Sequence, residues 1–326
     1  MNKVKRLSQR LLGAGVLFAS VALIQAADQP VHQDLLKNYS PQQLTEHVWM
    51  IEGPRGFPSP QNGGFMNNPG YIVTADSVVV IDPGSSAAIG RAVVAHIKQQ
   101  TDKPVTHVFT THVHGDHWLA NEAIRENWPD AVFYAHPNMI TLAKASEAAR
   151  WLSNMDTLTE GATAGTEALI PTEALSHEQV FEIGGVTLKA HLPQEKAHTT
   201  TDVMYEVVND KLLFTGDNIN HLRIVRMDDG SFVGNIAAAD YALALDVETI
   251  VPGHGPRGNR KTLQLNRNYL ATVYGTVKDL REDLEPYEIK PKVEEKLTDF
   301  RGWTGFEDEL GKHISLSVLE AEMEDF

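Results

Sequence analysis

The chain has 326 residues, of which 42% are hydrophobic and 22% charged. That is the profile of a globular protein with a sizeable core, not of a disordered or fibrous chain. Its formal charge of −15 argues against nucleic acid or an anionic membrane surface as partner. There is no cysteine, so a metal site here must be built from histidine and carboxylate, without disulfides or thiolates.

Lys3, Lys5, Arg6 and Arg10 form a basic segment, and an apolar run follows from Leu11 to Ile24. The run is short for a membrane span, and Gln25-Ala26-Ala27 offers small residues for cleavage. Residues 1–26 are therefore expected to be a signal peptide, with the mature protein in a bacterial periplasm and off the membrane. An uncleaved anchor is the alternative. Four of the 28 basic residues precede this point, leaving 24 basic against 43 acidic side chains.

The spacing then predicts strands at 47–52, 70–74 and 77–82, the last two a hairpin around Ala75-Asp76. A helix is expected over 87–100, where Ile89, Val93, Val94 and Ile97 share a face. A strand at 105–111, a helix at 119–126 and a strand at 131–135 follow. The stretch 137–176 reads as a mixed, largely helical segment with a Gly/Thr/Ala-rich loop near Gly161 to Thr166. Strands return at 178–181, 186–191, 203–208, 211–215 and 249–251, with Asn209-Asp210 as a tight turn. From Lys261 onward the pattern is mostly helical, with Phe300, Trp303, Phe306, Leu310, Ile314 and Leu319 at roughly helical spacing. This order fits a layered α/β protein with two sheets inside and helices outside. The expected division is residues 27–260 as one domain and 261–326 as a helical extension packed on it.

The strongest chemical signal is His112-Val113-His114-Gly115-Asp116-His117, between a predicted strand and a predicted helix. At such a corner His112 and His114 can face one ion while Asp116 and His117 face a neighbour, with Gly115 giving backbone freedom. His198, Asp217 and His254 stand at later loop positions. Each is an ordinary loop residue when taken alone; their order after the first cluster gives them weight.

Together with Ile81-Asp82-Pro83-Gly84, these motifs resemble the metallo-β-lactamase superfamily from about Val48 to Pro256. The resemblance implies an αββα four-layer sandwich with two mixed sheets. It also implies two zinc ions per chain. One would be held by His112, His114 and His198, the other by Asp116, His117 and His254, with Asp217 bridging and Asp82 steadying the ligand loop. A shared water of lowered pKa would then attack an ester, thioester, lactone or β-lactam, with Asp116 orienting it and moving its proton. Members with iron redox chemistry usually carry Glu where His114 stands, which favours zinc over iron. A mononuclear iron dioxygenase of the persulfide type stays open, as does a non-catalytic metal-binding part of a periplasmic redox system. The C-terminal part is loosely similar to periplasmic zinc metallohydrolases linked to quinoproteins and sulfur oxidation.

Other residues bear on a small-molecule substrate. The Gly/Pro-rich loop 53–65 is either a mobile connection or a flap offering Phe57 and Phe65. His221 and Arg223 are either surface residues or cations for a substrate carboxylate. Trp118 is expected to pack beneath its helix and His107 to be structural.

Overall fold

A computed structural model describes residues 38–325; the predicted signal segment lies outside them. Two sheets form the centre. The first runs β1 (Gln42–Gln43), β2 (Val48–Met50), β3 (Gly70–Val73), β4 (Val78–Ile81), β5 (Val105–Phe109), β6 (Val132–Ala135) and β7 (Glu173–Ala174), in that spatial order. It is antiparallel through β4 and parallel from β4 to β7. The second has the order β13 (Gly258–Asn259), β12 (Thr249–Val251), β11 (Leu212–Phe214), β10 (Met204–Val207), β9 (Val186–His191) and β8 (Gln179–Ile183). It is antiparallel except between β11 and β12.

Alternation along the strands separates the layers. Met50, Ile72, Val79, Ile81 and Phe109 of the first sheet meet Leu188, Tyr205, Val207, Leu212 and Phe214 of the second in one buried cluster. On the outer face of the first sheet, Tyr71, Val78, Val80 and Val108 pack against α1 (Ala87–Gln100), with Ile124 of α3 (Asn121–Asn127) in the same cluster. On the outer face of the second, Met204, Leu213 and Ile250 pack against Ala239 and Ala242 of α6 (Phe232–Ala244) and Leu263 of α7 (Arg260–Leu280). The expected sandwich of two mixed sheets between helical layers is what the chain forms. Between these lie one turn of helix, α2 (Gly115–Trp118), then α4 (Pro137–Leu142) and α5 (Ala148–Leu158), joined by a π-helical turn. Among the described residues no helix is long and apolar enough to cross a membrane.

Several elements differ from expectation. Helix α6 has no predicted counterpart, because Phe232–Ala244 carries a single charged residue, Asp240, and shows almost no polar face. The tight turn is one turn of 3-10 helix over Val208–Asp210, and the left-handed residue is Lys211 (φ 48°), not the Asn-Asp pair. Only 137–158 of the stretch 137–176 is helical. Phe300 and Trp303 precede α9 (Phe306–Glu324) and do not share its face, and Leu319 points outward at 56% exposure.

The last three helices, α7, α8 (Pro286–Lys296) and α9, enclose their own apolar cluster around Tyr269, Val273, Ile289, Phe306 and Ile314. Ile224 and Phe232 join it from the preceding segment. His313 is fully buried there, with the Tyr269 hydroxyl 2.9 Å from Nδ1. Burial pushes its pKa down from 6.5 to about 3. A depressed histidine contributes stability that is complete above its unfolded pKa and is lost as pH falls through the window from 6.5 to about 3. Urea unfolding of the metal-free protein should thus lose up to about 1.4 kcal/mol per pH unit more in the wild type than in His313→Gln. Equal slopes for the two proteins between those pH values would contradict the assignment.

Candidate metal centre

The ligand candidates sit at strand ends, in tight loops and, for Asp116 and His117, on the one-turn helix α2, all on one rim of the sandwich. After β4, Asp82 adopts φ 51° and turns its carboxylate under the loop that follows β5. Its Oδ1 accepts from the Thr111 backbone N–H at 2.8 Å, and Oδ2 accepts from Thr111 Oγ1 at 2.6 Å and His117 Nδ1 at 2.8 Å. With Nδ1 donating to Asp82, Nε2 is the His117 atom that faces the site. Burial lowers the ring's pKa, but Asp116, Asp82 and Asp217 outweigh it and hold it well above the ordinary value, so a bound cation would take the place of the Nε2 proton. Gly115 has an ordinary negative φ, so backbone freedom is not its role. A Cβ there would stand 2.8 Å from Cβ of Trp151, and the missing side chain lets α2 lie against α5. Trp118 is fully buried and donates from Nε1 to the Val113 carbonyl at 2.9 Å.

Asparagines anchor the remaining ligand loops. Asn68 Nδ2 donates to the carbonyls of Pro252 and Gly255, and Asn220 Oδ1 accepts from the His254 N–H. Asn266 of α7 pairs with both backbone groups of Asn220, so the C-terminal helices reach the loop behind His254. Gly253 has no room for a side chain: a Cβ would meet Asp217 Oδ1 at 1.9 Å.

The seven predicted residues come together as three overlapping groups able to hold an ion: His112, His114 and His198; His112, His117 and Asp217; and Asp116, His117 and His254. Within each group the donor atoms lie within 4.8 Å of one another. Asp217 stands between the outer two groups. Its Oδ1 is 3.3 Å from His117 Nε2, and its Oδ2 is 3.2 Å from His254 Nε2 and 3.8 Å from His198 Nε2. Asp116 Oδ2 reaches only His117 (3.4 Å) and His254 (3.3 Å).

The donor set fits divalent cations. His112 Nε2, His117 Nε2, Asp116 Oδ2 and Asp217 Oδ1 are buried without a hydrogen-bond partner. Such atoms are costly unless something pairs with them. Burial, reinforced by His117, His114 and His198, holds His112 well below its ordinary pKa, so it presents a lone pair. Burial, then His114, pushes His198 down to about 3. Burial raises Asp116 and Asp217, but His117 and His254 outweigh it and keep both carboxylates ionised.

Sequence reading missed Asp229 and Trp151. Asp229 Oδ2 lies 3.1 Å from His114 Nε2, which leaves Nδ1 of that ring toward the site, 3.1 Å from His198 Nε2. The His114 hydrogen bond pulls the Asp229 carboxyl down to about 2. Trp151 packs against the other side of the same ring, centroids 4.9 Å apart. The only sequence hint was the turn Asp228-Asp229-Gly230. The loop 53–65 is tied down by Asn62, whose side chain bonds Ser59 N, Gly64 N and the Phe57 carbonyl. Phe65 is a core residue beside α1 and does not face a substrate. His221 Nδ1 bonds the Pro256 carbonyl at 2.9 Å and serves the loop.

A two-sheet sandwich carrying this His/Asp rim is the architecture of the metallo-hydrolases. The model of the metallo-beta-lactamase superfamily matches residues 62–254, and the chain belongs to that superfamily. It is similar to a probable metallo-hydrolase of Streptococcus pyogenes, 28% identical over 195 residues that cover 57% of this chain and 78% of the relative. It is also similar to a linear primary-alkylsulfatase of a Pseudomonas species, 22% identical over 264 residues. That match covers 68% of this chain, which spans about half (49%) of the sulfatase. Among solved structures, a metallo-beta-lactamase of Pontibacter korlensis superposes with a TM-score of 0.57 at 19% identity, covering 71% of this chain and 98% of its own. The protein is thus a metal-dependent hydrolase of this fold.

Proposed function

We propose that the protein is an exported, dinuclear zinc-dependent hydrolase of a small molecule carrying an ester, thioester, lactone or β-lactam bond. The observation that carries this reading is the convergence of seven side chains into overlapping nitrogen and oxygen ligand groups. His112, His114 and His198 would hold one ion and Asp116, His117 and His254 the other, with Asp217 between them. Imidazole and carboxylate without thiolate suit zinc. Bound divalent ions polarise a substrate oxygen and lower the pKa of a shared water toward neutrality. Asp116, ionised and with Oδ2 beside His117 and His254, would orient the attacking water and accept its proton. Asp82 and Asp229 hold His117 and His114 in the orientation that turns Nε2 and Nδ1, respectively, toward the ions.

Similarity to the alkylsulfatase supports a second reading, in which the scissile bond belongs to a sulfate ester.

One preparation tests the metal and the export. Expressed with its N-terminal segment in a bacterial host, the protein should be recovered from the periplasm, begin near Ala27 or Asp28 and carry about two zinc per chain. One iron per chain would sink the zinc reading, and soluble protein starting at Met1 would sink the export. A chromogenic panel of β-lactams, lactones, thioesters, carboxylic esters and sulfate esters then separates the substrate classes.

A further inference from the structure

Three well-exposed apolar side chains gather in one place. Leu319 and Met323 of α9 stand 56% and 70% exposed, and Val233 at the start of α6 stands 43% exposed. All three line one groove of about 540 Å³, where the first turns of α6 meet the second half of α9. Met227, Phe232 and Leu316 extend the apolar lining. The charged residues of the groove are three acids, Glu195, Asp228 and Glu320, and one base, Lys196. Exposed apolar surface gathered around a groove marks a place where another molecule sits.

The groove is built before anything enters it. Glu320 of α9 accepts from Ser231 Oγ at 2.6 Å and from the backbone N–H groups of Phe232 at 2.7 Å and Val233 at 3.1 Å, which fastens the start of α6 to α9. Gly234 has no room for a side chain, because a Cβ would stand 1.8 Å from the Lys196 carbonyl. The wall that carries Met227 and Asp228 is the loop whose Asp229 is bonded to His114, so it is anchored from the other side as well. A preformed groove spares its occupant much of the ordering cost of binding.

What it accepts follows from its walls. The first backbone donors of α6 are already taken by Ser231 and Glu320, so an added strand finds no ladder to join. Recognition falls to side chains, as when an amphipathic helix lays its apolar face in a groove. Along α9 the lining residues Leu316, Leu319 and Met323 span about 10 Å, which matches two turns of an incoming helix with apolar side chains at i, i+3 or i+4, and i+7. Met227 and Met323 can adapt to the shape they meet. Charge then selects the partner. Helix α9 carries six acidic side chains and one lysine. A second copy would bring this acidic helix against itself, and an anionic lipid surface would be repelled. We propose that the groove docks a basic amphipathic helix of a partner protein, with its apolar stripe between α6 and α9 and its Lys or Arg side chains along the acidic edge of α9.

Fluorescence anisotropy of a labelled Leu/Lys peptide of about 18 residues, with leucines at i, i+3, i+4 and i+7, titrated with the full chain, tests this. Saturable binding is expected, weakened at least roughly 10-fold by Leu319→Ser combined with Met323→Ser. Both side chains are exposed, so the double variant should keep the wild-type unfolding temperature. Val233→Ser, on the opposite wall, should weaken binding in the same direction, and it decides alone if the double variant unfolds early. A Leu/Glu peptide of the same spacing should bind at least roughly 10-fold more weakly than the Leu/Lys peptide. No saturable binding, equal affinity in wild type and the folded variants, or equal affinity for the two peptides overturns the proposal. So does a wild type that sediments as a dimer which the variants break, since a second copy would then fill the groove.

Discussion

On the dinuclear zinc reading proposed above, replacing His112 with Ala is expected to take the metal content from about two ions per chain to one or less and to lower kcat/KM by at least roughly 1000-fold, a loss of about 4 kcal/mol of transition-state stabilisation. His112, like His117, belongs to two of the three ligand groups, whereas His114, His198 and His254 each belong to one; unlike His117, it makes no ion-pair contact with a carboxylate among the described residues. Its ring lies 4.7, 4.3 and 4.9 Å from those of His114, His117 and His198, and the side chain is 1% exposed, so water cannot easily take its place. A second readout does not depend on turnover. In the metal-free protein this histidine is desolvated and crowded by other imidazoles, so its removal should change the unfolding temperature little. The upward shift of that temperature on adding zinc, which follows from binding to the folded state alone, should largely disappear. If His112→Ala keeps both the zinc-induced shift and the activity, the ligand assignment is wrong. His198→Ala should act in the same direction, but leave the group of Asp116, His117 and His254 more nearly intact.

Much of this site was legible because its ligands announce themselves locally. Three histidines and an aspartate within six residues need no long-range knowledge, while Asp217 and His254 follow short apolar runs that read as strands and His198 precedes one. Strand β9 and helix α1 were read to the residue, since Val186–His191 alternates and Ala87–Gln100 has clear helical spacing between polar flanks. Periodicity fails where polarity does not vary. Helix α6 buries Phe232, Gly234, Asn235, Ala238, Ala239 and Ala242 but exposes mostly small apolar groups too, so no stripe stands out. The signal that remained was Ser231, whose hydroxyl caps the Gly234 N–H at 3.0 Å. What supports the site was illegible for another reason. Asp229 meets His114 across 115 residues of chain, and Arg223, buried beside His254, is bridged to Thr304 in a different structural layer. An aspartate in a turn and an arginine in a loop look like any others until the fold brings their partners to them.

The two carboxylates at the centre should respond differently to substitution, although both are buried and both touch His117 and His254. Asp217 spans the site: one oxygen addresses His117, and the other addresses His254 and, more distantly, His198. Its position is exact enough that Gly253 cannot carry a side chain beside it. Asp217→Ala removes the negative charge between the places where two dications would sit, in surroundings too dry to screen their repulsion. The expected result is loss of metal, chiefly the second ion, with activity following. Asp116 lies to one side, with Oδ2 near His117 and His254 only. Asp116→Asn keeps the size and one oxygen, so much of the metal should stay. The amide can neither take a proton from water nor orient it by charge, and kcat should fall by at least about 100-fold. Metal stoichiometry and single-turnover rates on both variants decide the matter. If Asp116→Asn keeps its rate while Asp217→Ala keeps both metals, the roles are exchanged or absent. The geometry argues against that outcome, because only Asp217 has an oxygen directed to each side of the ligand set.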